Sequence, residues 1–136
     1  MAKKLAVVFG IVFVLVGILG FFSNGIVSQN AASNPLFLTD VIHNIVHLLV
    51  GIVLLIAAKS SSASAMWLKV WGIVYLVLFI DGLVQVHTSG DKLLGLVTAN
   101  PADTYLHLVL GIVLLAAGFL AKGGSSAPMM MDKTTM

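Results

Sequence analysis

The side chains of this 136-residue chain that could do chemistry are few, and five of them lie inside apolar runs: His43, His47, Asp81, Asp103 and His107. On a helix, positions i, i+4 and i+8 share a face. His43, His47 and Gly51 form one such face, and Asp103, His107 and Gly111 form another. Asp40 precedes the first set by one turn. Three imidazoles with one or two carboxylates have the donor chemistry for a divalent metal, with His43 and His47 as a two-point clamp and Asp81 and Asp103 supplying oxygen. His47 and His107, at equal depth on facing helices, could instead hold a haem iron axially. Buried Asp and His groups can also relay protons. The plainer expectation is structural: such groups pair across helices and pin a bundle, each pair contributing about 0.6–2 kcal/mol. On that expectation no cofactor is required, and a metal ion or haem is the alternative for the cluster.

Other chemistries are excluded more firmly. Glu is absent from the whole chain, so a His-Glu-x-x-His metalloprotease helix cannot exist. Cys is absent too, which removes disulfides, thiolate metal sites and thiol catalysis. There is no phosphate-binding glycine loop and no Ser/His/Asp spacing suited to hydrolysis. The chain is not expected to be an enzyme.

The elements that position these residues are membrane-length. The chain is 60% hydrophobic and 9% charged, with a mean hydropathy of +1.12, whereas soluble domains are about 45–50% apolar and about 25% charged. Four apolar runs, at about 5–22, 36–58, 66–86 and 102–121, are each close to the ~20 residues that span a ~30 Å hydrocarbon core. They are continuous and lack two-residue alternation, so they predict helices rather than barrel strands. Asn34-Pro35 and Asn100-Pro101 stand before the second and fourth runs, and proline suits a first helical turn. Both helices are expected to begin there.

The chain also repeats itself. His47-Leu-Leu-Val-Gly-Ile-Val-Leu-Leu55 returns as His107-Leu-Val-Leu-Gly-Ile-Val-Leu-Leu115. Phe9-Gly-Ile-Val-Phe13 matches Trp71-Gly-Ile-Val-Tyr75, and Gly20 matches Gly82. Segments one and two therefore resemble segments three and four. With two spans per copy, both copies enter the membrane in the same direction, a parallel repeat about a pseudo-twofold axis along the membrane normal. The expected fold is all-α, a four-transmembrane-helix bundle forming one domain over 1–121, followed by a flexible cytoplasmic tail over 122–136. Because segment one has an embedded counterpart, it is read as retained rather than as a cleaved signal peptide. The soft-metal potential of Met129 to Met131 is faint beside a tail reading.

Lysine placement orients the bundle. Lys3, Lys4, Lys59, Lys69, Lys122 and Lys133 fall on one side of a four-span arrangement, and Lys92 on the other. The positive-inside rule makes both termini cytoplasmic. The sequence pI of 9.1 reflects these loop lysines and is no nucleic-acid signature. The lipid bilayer is the expected partner, with a homo-oligomer or a larger membrane complex open. Counting from the helix ends puts His47 and His107 roughly 10 Å, and Asp81 roughly 9 Å, inside the outer boundary, with Gln85 on the face of Asp81. His87 is expected at the interface and solvated. Trp67, Trp71 and Tyr75 are expected at the inner end of the third helix as belt anchors. The inner halves are almost wholly apolar, so no polar path crosses one copy.

Phe9-Gly-Ile-Val-Phe-x-x-x-Gly17-Ile-Leu-Gly20-Phe21, His43-Asn44-x-x-His47-Leu-x-x-Gly51 and Asn100-Pro-Ala-Asp103-x-x-x-His107-Leu-x-x-Gly111 resemble the first, second and fourth helices of the domain of unknown function 4383 family. The resemblance covers nearly the whole chain apart from the tail. It implies a small bacterial inner-membrane protein of four helices with no assigned activity. The family often carries Asn directly after the helix-four Asp, where this chain has Thr104.

Overall fold

The computed structural model describes residues 1–22, 25–88 and 90–121; the tail expected over 122–136 lies outside the described residues. The chain is mostly helical. Its elements are α1 (Ala2–Leu19), β1 (Val27–Ser28), a 3-10 turn (Ala31–Ser33), β2 (Phe37–Leu38), α2 (Val41–Ala57), α3 (Ser61–Gln85), β3 (Asp91–Leu93), β4 (Val97–Ala99) and α4 (Pro101–Leu120). Helices α1, α3 and α4 are long and apolar enough to cross a membrane. Helix α2 is also apolar, but its 17 residues reach only about 25 Å.

Two helix starts differ from expectation. Helix α4 does begin at Asn100-Pro101, with Asn100 as N-cap and proline in the first turn. Helix α2 does not begin after Pro35. Leu36 to Thr39 is drawn into pairing with the chain after α1: Phe37 N–H donates to Ile26 O at 2.8 Å and Thr39 N–H to Ser28 O at 2.9 Å. The helix starts only where Asp40 caps it by accepting from His43 N at 2.8 Å. Helix α3, in turn, starts five residues before the expected Met66, because Ser60 caps it and Ser64 Oγ ties back to Ala57 O at 3.0 Å. The Ser/Ala stretch is therefore mostly helix, and the α2–α3 link is tight.

Packing runs through glycine. The most extensive contacts are α1 with α2 and α3 with α4. A Cβ on Gly51 would stand 2.7 Å from Gly10 O, and one on Gly111 would stand 3.1 Å from Gly72 O. The backbones of each pair touch where a side chain would part them, as small residues permit between membrane helices. A core of Phe13, Val50, Leu54, Leu68, Tyr75, Leu114 and Ala117 fills the bundle, flanked by Trp67 and Trp71. Large apolar side chains such as Val8, Leu15, Ile52, Ile73, Ile80 and Ile112 point outward. That distribution suits a hydrocarbon surround, where apolar side chains belong on the outside.

Candidate functional site

The segment between α3 and α4 decides the site. It is a β-hairpin, β3 pairing antiparallel with β4. Leu94 (φ 51°) and Gly95 (φ 69°) both take the left-handed region at its tip, and Leu96 N–H closes the turn on Leu93 O at 2.9 Å. Positive φ at both central positions is the mark of a type I′ turn. The strands are apolar at their tip, and the hairpin folds back along α3. Asp81 Oδ2 accepts from Leu94 N at 2.7 Å, roughly 6 Å short of the end of α3 at four residues' rise. Asp81 is thus engaged with the hairpin, and no ring or hydrogen-bond contact joins it to the histidines among the described residues. It satisfies the amide at the hairpin turn. Gln85 is exposed and lies outside the cluster.

The start of α2 grips the other side of the hairpin. Asp40 Oδ2 accepts from Thr98 N at 2.8 Å, and His43 Nδ1 pairs with Thr98 O at 2.9 Å. Both backbone polar groups of Thr98, in successive peptide units, are held by α2 side chains. Burial alone would raise the Asp40 carboxyl, but the N–H groups of His43 and Thr98 outweigh it and hold Asp40 below the ordinary carboxylate value. Farther out, Asp91 accepts from His87 N at 2.8 Å and from Thr88 N at 2.7 Å. Those two bonds lower its carboxyl as well, that of Thr88 more than that of His87. His87 is exposed.

Asp103 is likewise engaged locally. It forms a capping box with Asn100, whose side chain accepts from Asp103 N while Asp103 Oδ2 accepts from Asn100 N at 3.0 Å. Asn100 Nδ2 also donates to Leu36 O at 3.0 Å, tying α4 to the first long loop. So the five residues singled out in the sequence do not converge. His43, His47 and His107 come together, while Asp81 and Asp103 serve backbone amides. Among the described residues, no group of three His, Cys, Asp or Glu side chains is arranged to hold a metal ion.

The three histidines join two further rings in a closed circuit. His43 lies 4.7 Å from His47 and 6.3 Å from His107, centroid to centroid. Phe13 lies 5.8 Å from His47, Tyr75 lies 5.2 Å from His107, and Phe13 stacks on Tyr75 at 5.5 Å. Tyr75 is therefore part of the site, and not a belt residue at the inner end of α3, which begins earlier than expected and so places Tyr75 near its middle. The matched positions of Phe13 and Tyr75 in the repeat were the available signal. His43, His47 and His107 are 3%, 7% and 3% exposed, and Nδ1 of both His47 and His107 is buried without a hydrogen-bond partner.

Beside this circuit lies a cavity of about 280 Å³. Its wall is Ile42, His43, Val46 and His47 from α2, Val74, Tyr75 and Leu78 from α3, Leu93, Leu94, Leu96 and Val97 from the hairpin, and His107 from α4. It is almost wholly carbon. Its size falls just below the ~300–1,000 Å³ of pockets that enclose drug-sized molecules. Ile42, Val46, Leu94 and Leu96 are also exposed, so the wall is continuous with the outer surface of the bundle. Sequence reasoning missed the hairpin because its turn is Leu-Gly, without the Asn-Gly or Asp-Gly signal of such loops.

No curated protein and no solved structure matches the chain at a significant level. Residues 3–120 match the family described as Domain of unknown function (DUF4383), and the chain belongs to that family.

Proposed function

We propose that this chain is a non-enzymatic, multi-pass protein of the bacterial inner (cytoplasmic) membrane, with a structural or accessory role, that takes an apolar ligand from the surrounding lipid. The cavity carries this reading. It is apolar, lies between α2, α3 and the hairpin, and has wall residues that also face outward. A cavity of about 150 Å³ lined by aliphatic side chains stays dry and accepts benzene; this one has nearly twice that volume. Reactive groups are scarce around it: the nearby carboxylates of Asp40, Asp81 and Asp103 all accept from backbone amides.

In this reading all four helices span, as two parallel two-helix repeats, with both termini cytoplasmic. The matched glycine contacts Gly10–Gly51 and Gly72–Gly111 support the repeat. So do the equivalent caps: Asp40 reaches into the second long loop and Asn100 into the first. Lys3, Lys4, Lys59 and Lys69 near one end, against Lys92 at the other, support the orientation.

The test is a titration of methyl-labelled full chain in lipid nanodiscs with naphthalene. Saturable shifts at Ile42, Val46, Val74 and Val97 methyls are expected; shifts that grow linearly and uniformly over all outward methyls would refute the cavity reading. Single cysteines at Lys59 and Lys92, free of background because the chain has none, test orientation. Only the Lys92→Cys variant should react with an impermeant reagent added outside cells.

A further inference from the structure

The tautomers of the ring circuit define what the cavity can recognise. Thr98 O can only accept, so the proton of His43 sits on Nδ1, the atom 2.9 Å from it. For a neutral imidazole this leaves Nε2 of His43 as an acceptor. The other two histidines are set the opposite way. Their Nδ1 atoms are buried without partners, and a buried orphan N–H is rarer than a buried orphan acceptor. Their protons therefore belong on Nε2. His43, His47 and His107 all line the cavity, so the residues of an otherwise carbon wall carry one fixed imidazole acceptor and two N–H donors.

One functional group complements that set with a single atom pair. A hydroxyl donates its proton and accepts at its oxygen; a carbonyl or ether lacks the proton, and an ammonium lacks the lone pair. Building on the cavity reading above, we infer that the site selects an apolar molecule bearing one hydroxyl, whose O–H donates to His43 Nε2 and whose oxygen accepts from the Nε2–H of His47 or His107. The Asp40 and His43 contacts to Thr98 then have a second consequence. By fixing the Thr98 backbone they fix the His43 tautomer, so the hairpin both walls the cavity and sets the polarity of its acceptor. An aromatic body and an aliphatic one share this chemistry, and the probes below separate them.

The experiment uses the full chain in nanodiscs with 15N-labelled histidine. In the ligand-free protein, His43 should show a protonated Nδ1 and a bare Nε2, and His47 and His107 the reverse. Two probe pairs differ only by methyl for hydroxyl: 2-naphthol against 2-methylnaphthalene, and 1-octanol against nonane. In at least one pair the hydroxyl probe should bind about five-fold tighter, the worth of one net hydrogen bond, and should shift the His43 Nε2 resonance. The preferred pair identifies the body as aromatic or aliphatic. His43→Phe should abolish the preference of the hydroxyl probe over its hydrocarbon partner. The inference is overturned if both members of each pair bind equally, a result that leaves the cavity reading standing. It also falls if His43 carries its proton on Nε2, which the wild-type spectrum reports without any variant. If no probe of either kind binds saturably, the cavity reading fails with it.

Discussion

Asp40 joins two elements that are distant in sequence, and its replacement separates two effects. Its Oδ1 caps α2 through His43 N at 2.8 Å, and its Oδ2 holds Thr98 N at 2.8 Å. Asp40→Ala removes both. Loss of the cap costs about 1 kcal/mol. Loss of the charge-assisted bond costs about 1.5 kcal/mol, the low end of its range because the carboxylate is partly solvated. Asp40→Asn keeps the cap, since Asn is as good an N-cap as Asp, but it turns an NH₂ toward the Thr98 N–H. It should lose about 1.5 kcal/mol, which is close to ten-fold in the opening of the hairpin. Hydrogen exchange in nanodiscs measures this directly. Exchange at Thr98 should rise about ten-fold in Asp40→Asn while His43 N stays protected, and both should rise in Asp40→Ala. Acid should reproduce the Asn result in the wild type. Because Asp40 is held below its ordinary value, its contribution is complete above roughly pH 4. It is lost as pH falls through the lowered folded-state value. The Asn variant should show no such acid step. If Thr98 exchanges alike in wild type and Asp40→Asn, the hairpin is held by something other than this carboxylate.

Gly51→Ala should destabilise the bundle by about 1–2 kcal/mol, an overpacking cost partly offset by helix propensity. The added Cβ would meet backbone, Gly10 O at 2.7 Å and Val14 N at 2.8 Å. Gly111→Ala first meets the Leu76 side chain, which can rotate, so its loss in thermal melts should be about half as large. Asn100→Ala should lower stability by about 1–2 kcal/mol, and by more than a cap alone if the bond to Leu36 O contributes. Exchange at amides near Leu36 reports that second part. Gly95→Ala forces a Cβ onto a φ of 69° and should weaken the turn by about 1 kcal/mol, read as faster exchange at Leu96.

What the sequence determined by itself is the class of the molecule and the inward faces of its helices. Continuous apolar runs of membrane length admit only helices, and the His-x-x-x-Gly spacing marks the contact side because 3.6-residue periodicity is local. The copied string singled out His47 and His107, both of which the structure buries, and the match of Phe13 with Tyr75 already held the ring circuit's other half. Tertiary structure decided which polar groups meet. The helix starts shifted because caps and loop pairing compete: Pro35 offered a first turn, but backbone bonds to Ile26 and Ser28 held Leu36 to Thr39 extended and left Asp40 to cap α2. Counting rise along helices put Asp81 at the depth of the histidines but could not show what lay beside it. A hairpin with no strong turn signal folded back into that layer, and its unpaired amides claimed Asp40 and Asp81. Periodicity fixes the direction of a side chain along its own helix; a carboxylate goes to whichever backbone donor the rest of the chain leaves without a partner.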